Sequence, residues 1–306
     1  MRKDRERPVT MKFYDALQMD PAVLKRQIAA CDTRREKTYY WTAMAVRSVL
    51  IVAFAIVFIS LLSSLFGADN TPMAVALFCM MLGIRFVHFE YCIGDSLITL
   101  AAVLAILVLA PSAAAVLPSF LLIPLHFSAF FALLYMTTQR PEMGNGGLYS
   151  FAYIYLTGNP VIGEALVRRG LLALVGYFIC GAILFAKHRH KQKTVRFHQV
   201  LQKFDLSAPV HLWQFRMALG VSLVLTAGQV FQVERFMWMG FCTDYRYKTA
   251  MNCFGALMLA TGIYGLGGAV ILRIVDTCLG VTFGLVFAMA FHRLAAVRLL
   301  PGLQEE

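Results

Sequence analysis

The chain has 306 residues, 59% of them hydrophobic and 15% charged, with a formal net charge of +11. A positive mean hydropathy over that length excludes an ordinary water-soluble domain, a disordered chain and a small disulfide-stapled module. Apolar runs long enough to cross about 30 Å of hydrocarbon recur from Ala43 onward, whereas a membrane barrel requires alternating strands of about ten residues, so the class is an all-α polytopic membrane protein.

In chain order, residues 1–42 form a polar, amphipathic N-terminal segment. Asp20 followed by Pro21 reads as an N-cap with proline at the first helical position, opening a short helix toward Lys37. The apolar stretch from Ala43 to Phe66 is too long for a signal-peptide core, and no cleaved signal is expected. Residues 43–186 hold six predicted spans: Ala43 to Phe66, Met73 to Phe89, Ser96 to Ala110, Leu117 to Thr137, Gly146 to Leu156 and Gly163 to Ala186. The third and fifth are short for the hydrocarbon core, which predicts tilted or broken helices. A basic linker covers residues 187–212. Residues 213–292 hold about four shorter pieces, Trp213 to Gln232, Phe236 to Phe241, Ala250 to Tyr264 and Gly268 to Phe291, and residues 293–306 are a tail.

Ten Lys or Arg precede Trp41 and six lie between Lys187 and Lys203, whereas residues 67–72, 111–118 and 157–163 have none. The positive-inside rule puts the N-terminus, the linker and the C-terminal tail on the cytosolic side of a cell membrane. Trp41 with Arg47, and Trp213 with Arg216, then sit at the inner interface as aromatic and cationic anchors. The seven cysteines form no C-x-x-C pair and read as small core residues.

The chain also resembles itself. "TGNPVIGEALVRRGLLALVGYFICGAILFAKHR" from Thr157 and "TGIYGLGGAVILRIVDTCLGVTFGLVFAMAFHR" from Thr261 align without gaps at a shift of 104 residues. Gly163, Arg169, Gly176 and His188-Arg189 fall on Gly267, Arg273, Gly280 and His292-Arg293. Lys12-Phe13, Leu17-Gln18 and Asp20 echo Arg196-Phe197, Leu201-Gln202 and Asp205, so each half begins with a cytosolic amphipathic helix. This predicts two parallel repeats, six spans in the first and about four in the second. The separation of Arg47 from Arg169 is 122 positions against 57 for Arg216 from Arg273, so the second copy is the shortened one.

Several charged and polar residues fall inside the apolar runs. On a helix, Arg273, Asp276, Gly280 and Gly284 lie within about 80° of one another, a face built to meet protein rather than lipid. Arg273 falls roughly 28 Å from His292, near the outer boundary. It is either a snorkelling interface arginine neutralised by Asp276 or part of a binding or gating site. The first copy keeps Arg169, with Gly176 for close packing, but has Leu172 where Asp276 would stand, which makes Arg169 the stronger anion-binding candidate. In "GIRFVHFEYCIGDS", His88, Glu90 and Asp95 either form local ion pairs in a solvated loop or a proton relay with His88 as its switch. His188, His190 and His198 in the linker read as contacts to anionic lipid rather than to a metal. "RPEMGNGGLYSFAYIYLTGNP" places Asn145, Tyr149, Tyr153 and Asn159 in a short, glycine-rich span, which reads either as an interfacial aromatic belt or as a solute site at an interrupted helix. No phosphate loop, nucleophile elbow or H-E-x-x-H motif occurs, so no enzymatic activity, cofactor or metal is expected.

The pattern of six spans, a basic cytosolic segment and further spans, with "RIVDTCLG" in the closing one, resembles the fusaric-acid-resistance-like (FUSC) family, which is related to aromatic acid exporters. By position, Arg273, Asp276 and Gly280 match that family's R-x-x-D-T-x-x-G. The resemblance implies an efflux permease for small anionic, aromatic carboxylic compounds. The short second half departs from the family and favours, as alternatives, a non-transporting paralogue that depends on a second copy or a partner membrane protein, or an anion channel. Expected partners are membrane lipid, with anionic lipid at the linker, and a small anionic solute, not nucleic acid.

Overall fold

Every regular element among the described residues of the computed structural model is helical. The structure describes residues 17, 21–31, 33–87, 89–139, 145–189, 195–197, 199, 205 and 208–232, and within 274–290 the residues 274, 275, 278, 279, 281–287, 289 and 290. The chain divides into two compact units, one ending at Leu62 and one beginning at Ser63.

The first unit holds α1 (Pro21–Ala30) and most of α2 (Arg34–Phe66). The sequence predicts one helix from Pro21 toward Lys37; α1 instead ends at Ala30 and α2 starts afresh. Thr33 explains the restart, because its hydroxyl accepts the Glu36 N–H at 3.3 Å and its carbonyl accepts the Lys37 N–H at 3.1 Å, satisfying orphan donors of a new first turn. Over its 33 residues α2 rises about 50 Å, enough to cross the hydrocarbon and project beyond it. Of its most apolar window 6% is buried, and Val49, Leu50, Val52, Ile56 and Val57 are exposed along one broad arc of about 160°. Thr38, Thr42 and Ser48 donate their hydroxyl protons back to the carbonyls of Arg34, Thr38 and Met44, so their polarity is absorbed within the helix.

The second unit contains α3 (Thr71–Ile84), α4 (Ile93–Ala114), α5 (Leu122–Thr137), α6 (Asn145–Thr157), α7 (Glu164–His188) and α8 (Pro209–Val230). Among the described residues five helical stretches are long and apolar enough to cross a membrane: α2, α4, Ser119–Thr137 including α5, α7 and α8. The second predicted span ends five residues early, at Ile84, where the chain turns into the polar stretch that follows and Gly83 O accepts the N–H groups of Phe86 and Val87. The third is longer than predicted, 22 residues continuing through Pro111, and Ser112 donates to Val108 O one turn back. The fifth stays short, 13 residues or about 20 Å.

Residue contacts give the helix directions. Asn70 lies beside Ala165, Gly176 against Leu77, and His188 against Ile84, so α3 and α7 run parallel. Gly83 meets Leu148 and His126 meets Tyr153, which sets α6 antiparallel to both α3 and α5. Gln214 reaches Thr138 and Gln229 reaches His126, which sets α8 antiparallel to α5. Short α6 packs among α3, α4 and α5, while α7 lies on α3 and α4 and α8 on α5. Its inward residues Tyr149, Ala152, Tyr153, Ile154 and Leu156 are all buried.

Candidate functional site

Polar groups inside an apolar bundle are costly unless paired, so the pairing of each one reveals its task. Arg169 stands about 8 Å along α7 from Glu164 and is fully buried. Its Nε donates to Asn70 Oδ1 at 3.1 Å and its Nη2 to the Asp69 carbonyl at 3.1 Å. Asn70, equally buried, donates through Nδ2 to Phe66 O at 2.9 Å and to Ala165 O at 3.2 Å. A single side chain thus ties the end of α2, the turn Ala68–Asn70 and the first turn of α7. Arg169 Nη1 is buried and has no hydrogen-bond partner among the described residues.

This geometry corrects one expectation. With Leu172 standing where Asp276 would, the sequence leaves Arg169 without a neutralising acid; in the structure the charge of Asp69, about a hundred residues earlier in the chain, acts on it. The carboxylate works through space, while the hydrogen bonds from Nε and Nη2 go to neutral oxygens.

A second cluster joins three helices. His126 of α5 is fully buried, with Nδ1 at 2.9 Å from the Tyr153 hydroxyl of α6 and Nε2 at 3.1 Å from Gln229 Oε1 of α8. Gln229 Oε1 can only accept, so Nε2 carries the proton of the neutral ring and Nδ1 accepts from Tyr153. The Phe130 and His126 rings both meet Tyr153 edge-on. One turn away on α6, Tyr149 is buried with its ring 5.7 Å from Phe89 and its hydroxyl without a partner among the described residues. Tyr149 and Tyr153 therefore line the centre of the bundle, not an interfacial belt. His126 and Gln229 escaped sequence reasoning; the signal was available as a lone histidine in "LIPLHFSAFF" and a lone glutamine in "TAGQVF".

Arg169 lies near the start of α7 and Tyr153 near the end of α6, so both clusters occupy the end of the bundle carrying residues 67–70 and 158–163. Asn159 is placed there too, donating to Tyr155 O at 2.8 Å and closing the last turn of α6. The side chain of Asn145 at the opposite end of α6 lies outside the described residues, as do His88, Arg273, Asp276 and Gly280.

The opposite end of the bundle gathers the loop between α3 and α4. Asp95 Oδ2 accepts the Phe197 N–H at 2.8 Å, and Cys92 donates its N–H to Val195 O at 3.1 Å. Tyr91 meets Phe197 edge-on with centroids 5.5 Å apart. Asp95 thus holds part of the linker, and Glu90, five residues earlier in the chain, adopts a left-handed backbone at φ 67°. His188, expected to face anionic lipid, is buried instead and donates Nε2–H to Ile84 O at 2.8 Å, because its position on α7 faces α3. Gly176 faces Leu77 of α3 closely enough that no side chain fits between them, while Gly284 has open space among the described residues.

The observations define a class: among the described residues every element is helical, five stretches are long and apolar enough to span a membrane, and hydrogen-bonded polar clusters join neighbouring helices. No family model matches the chain, and no curated protein or solved structure matches it.

Proposed function

We propose that this chain is a membrane transport protein that exports small organic anions, with aromatic carboxylates as its substrate class. The observation that carries this reading is Arg169, a guanidinium held inside the bundle whose Nη1 hydrogens have no acceptor among the described residues. A carboxylate suits those donors in charge and geometry, and it would complete a set of bonds that Asn70 and Asp69 leave open. The aromatic character of the solute comes from the sequence resemblance to the FUSC family and accords with the buried Tyr153 of α6 near the same end. Nη1 is sealed from solvent in this arrangement, so loading requires the helices around α7 to part, as in alternating access. In this reading the basic segments face the cytosol of a cell membrane, the two halves are parallel repeats, and Arg273 with Asp276 is the second copy's counterpart of Arg169.

The test is efflux of a radiolabelled aromatic acid from energised cells. Arg169→Gln is expected to reduce efflux at least tenfold at unchanged protein abundance, with Arg169→Lys retaining part of it; equal efflux from Arg169→Gln and the parent would overturn the reading.

A further inference from the structure

We propose that Arg34, Lys37 and Trp41, at the start of α2, form a binding site for the phosphate headgroup of an anionic membrane phospholipid. This site lies wholly within the first unit and does not depend on the transport reading. With a 100° step per residue, Arg34, Lys37, Thr38, Trp41 and Ala45 share one stripe of the helix, and these residues line one shallow groove. Glu36 and Arg47 project about 200° and 220° away from Arg34, on the far side, so the stripe carries two cations and no carboxylate.

The order of chemistry along the stripe follows the order of groups in a phospholipid. Arg34 and Lys37 come first and are exposed; Trp41, 53% exposed, follows about 6 Å beyond Lys37. Ala45 and exposed Val49 then begin the apolar helix that fits the acyl region. Phosphate, glycerol ester and hydrocarbon descend through the same sequence, and tryptophan favours the ester level. The threonines do not compete for the phosphate. The hydroxyl protons of Thr38 and Thr42 are spent on the carbonyls of Arg34 and Thr38, at 2.9 Å each, so the donors left for an anion are the guanidinium and the ammonium. A zwitterionic lipid presents a cationic group beside its phosphate and is disfavoured by the same pair of charges.

Brominated lipids quench a nearby indole, which makes Trp41 its own reporter. The full chain with Trp213 and Trp238 replaced by phenylalanine is placed in phosphatidylcholine bilayers containing a small, equal fraction of brominated phosphatidylglycerol or brominated phosphatidylcholine. Quenching by the anionic lipid is expected to correspond to an enrichment of roughly fivefold to thirtyfold, the worth of one to two cations near an anionic surface. Arg34→Gln with Lys37→Gln is expected to abolish the preference, and the swap Arg34→Lys with Lys37→Arg to preserve it. Equal quenching by the two brominated lipids, or a preference that survives the double glutamine variant, would overturn the proposal. So would loss of the preference on adding inorganic phosphate at constant ionic strength, since that identifies a free-phosphate site rather than a lipid one.

Discussion

Replacing Gly176 with alanine tests the packing of α7 on α3 with a single methyl group. A Cβ at Gly176 would lie 2.7 Å from Leu77 Cδ1 and 3.0 Å from its Cγ, with Cδ2 closer still. Leu77 is 1% exposed, so its side chain has no open space to enter and the two helices must separate. Overpacking of this kind costs about 1–3 kcal/mol, and the better helix propensity of alanine returns up to about 1 kcal/mol. The net loss expected is about 1–2 kcal/mol. Gly170, six residues earlier and on another face of α7, supplies the control: among the described residues nothing lies within 4 Å of the point a Cβ there would occupy, so Gly170→Ala should stabilise by about 0.5–1 kcal/mol. Reversible unfolding of the purified protein in mixed micelles should separate the two variants by about 2 kcal/mol. Adding Leu77→Ala to Gly176→Ala should recover part of the loss, as expected of residues in contact. A Gly176→Ala protein as stable as Gly170→Ala would show that α3 and α7 do not approach in this way.

Three further outcomes follow from the polar contacts. Asp95→Ala removes a charge-assisted bond worth about 1.5–3 kcal/mol, so limited trypsin cleavage after Arg196 should accelerate about tenfold or more, whereas Asp95→Asn, which keeps an acceptor, should change it less. Tyr153→Phe deprives His126 Nδ1 of its donor and should cost about 1 kcal/mol in the same unfolding assay; no loss would mean that the His126 bond contributes nothing to holding α5 and α6 together. Asn70→Ala breaks both of its own donations and the Arg169 Nε bond, with an expected loss of about 2–4 kcal/mol and a matching fall in transport if Arg169 serves the solute; a stable, fully active variant would refute the role given to Asn70.

Much of the helical plan is legible locally. Lipid-length apolar runs predict α2, α4, the stretch containing α5, α7 and α8 to within a few residues at most ends, since hydropathy and length are properties of a single segment. Two boundaries moved for identifiable reasons: the Thr33 hydroxyl and carbonyl restart the helix after α1, and the Gly83 carbonyl, taking the Phe86 and Val87 N–H groups, turns the chain out of α3 before Phe89. Arg169 is recognisable as a buried cation and Gly176 as a close-packing position from their setting in α7. The partners are not recognisable. Asp69 and Asn70 reach Arg169 across about a hundred residues of chain, and His126 meets Gln229 across a similar span.

Composition and hydropathic length therefore determine by themselves that this chain folds as apolar helices suited to a membrane, because each helix satisfies its own backbone hydrogen bonds wherever it lies. Only the tertiary structure decides which polar side chains share a helix interface. That is why short α6 stands at the centre of the bundle, why Asn70 becomes the counterpart of Arg169, and why His188 turns toward Ile84 instead of toward lipid. Side-chain hydrogen bonds between helices depend on which faces meet, and no local pattern along the chain records that.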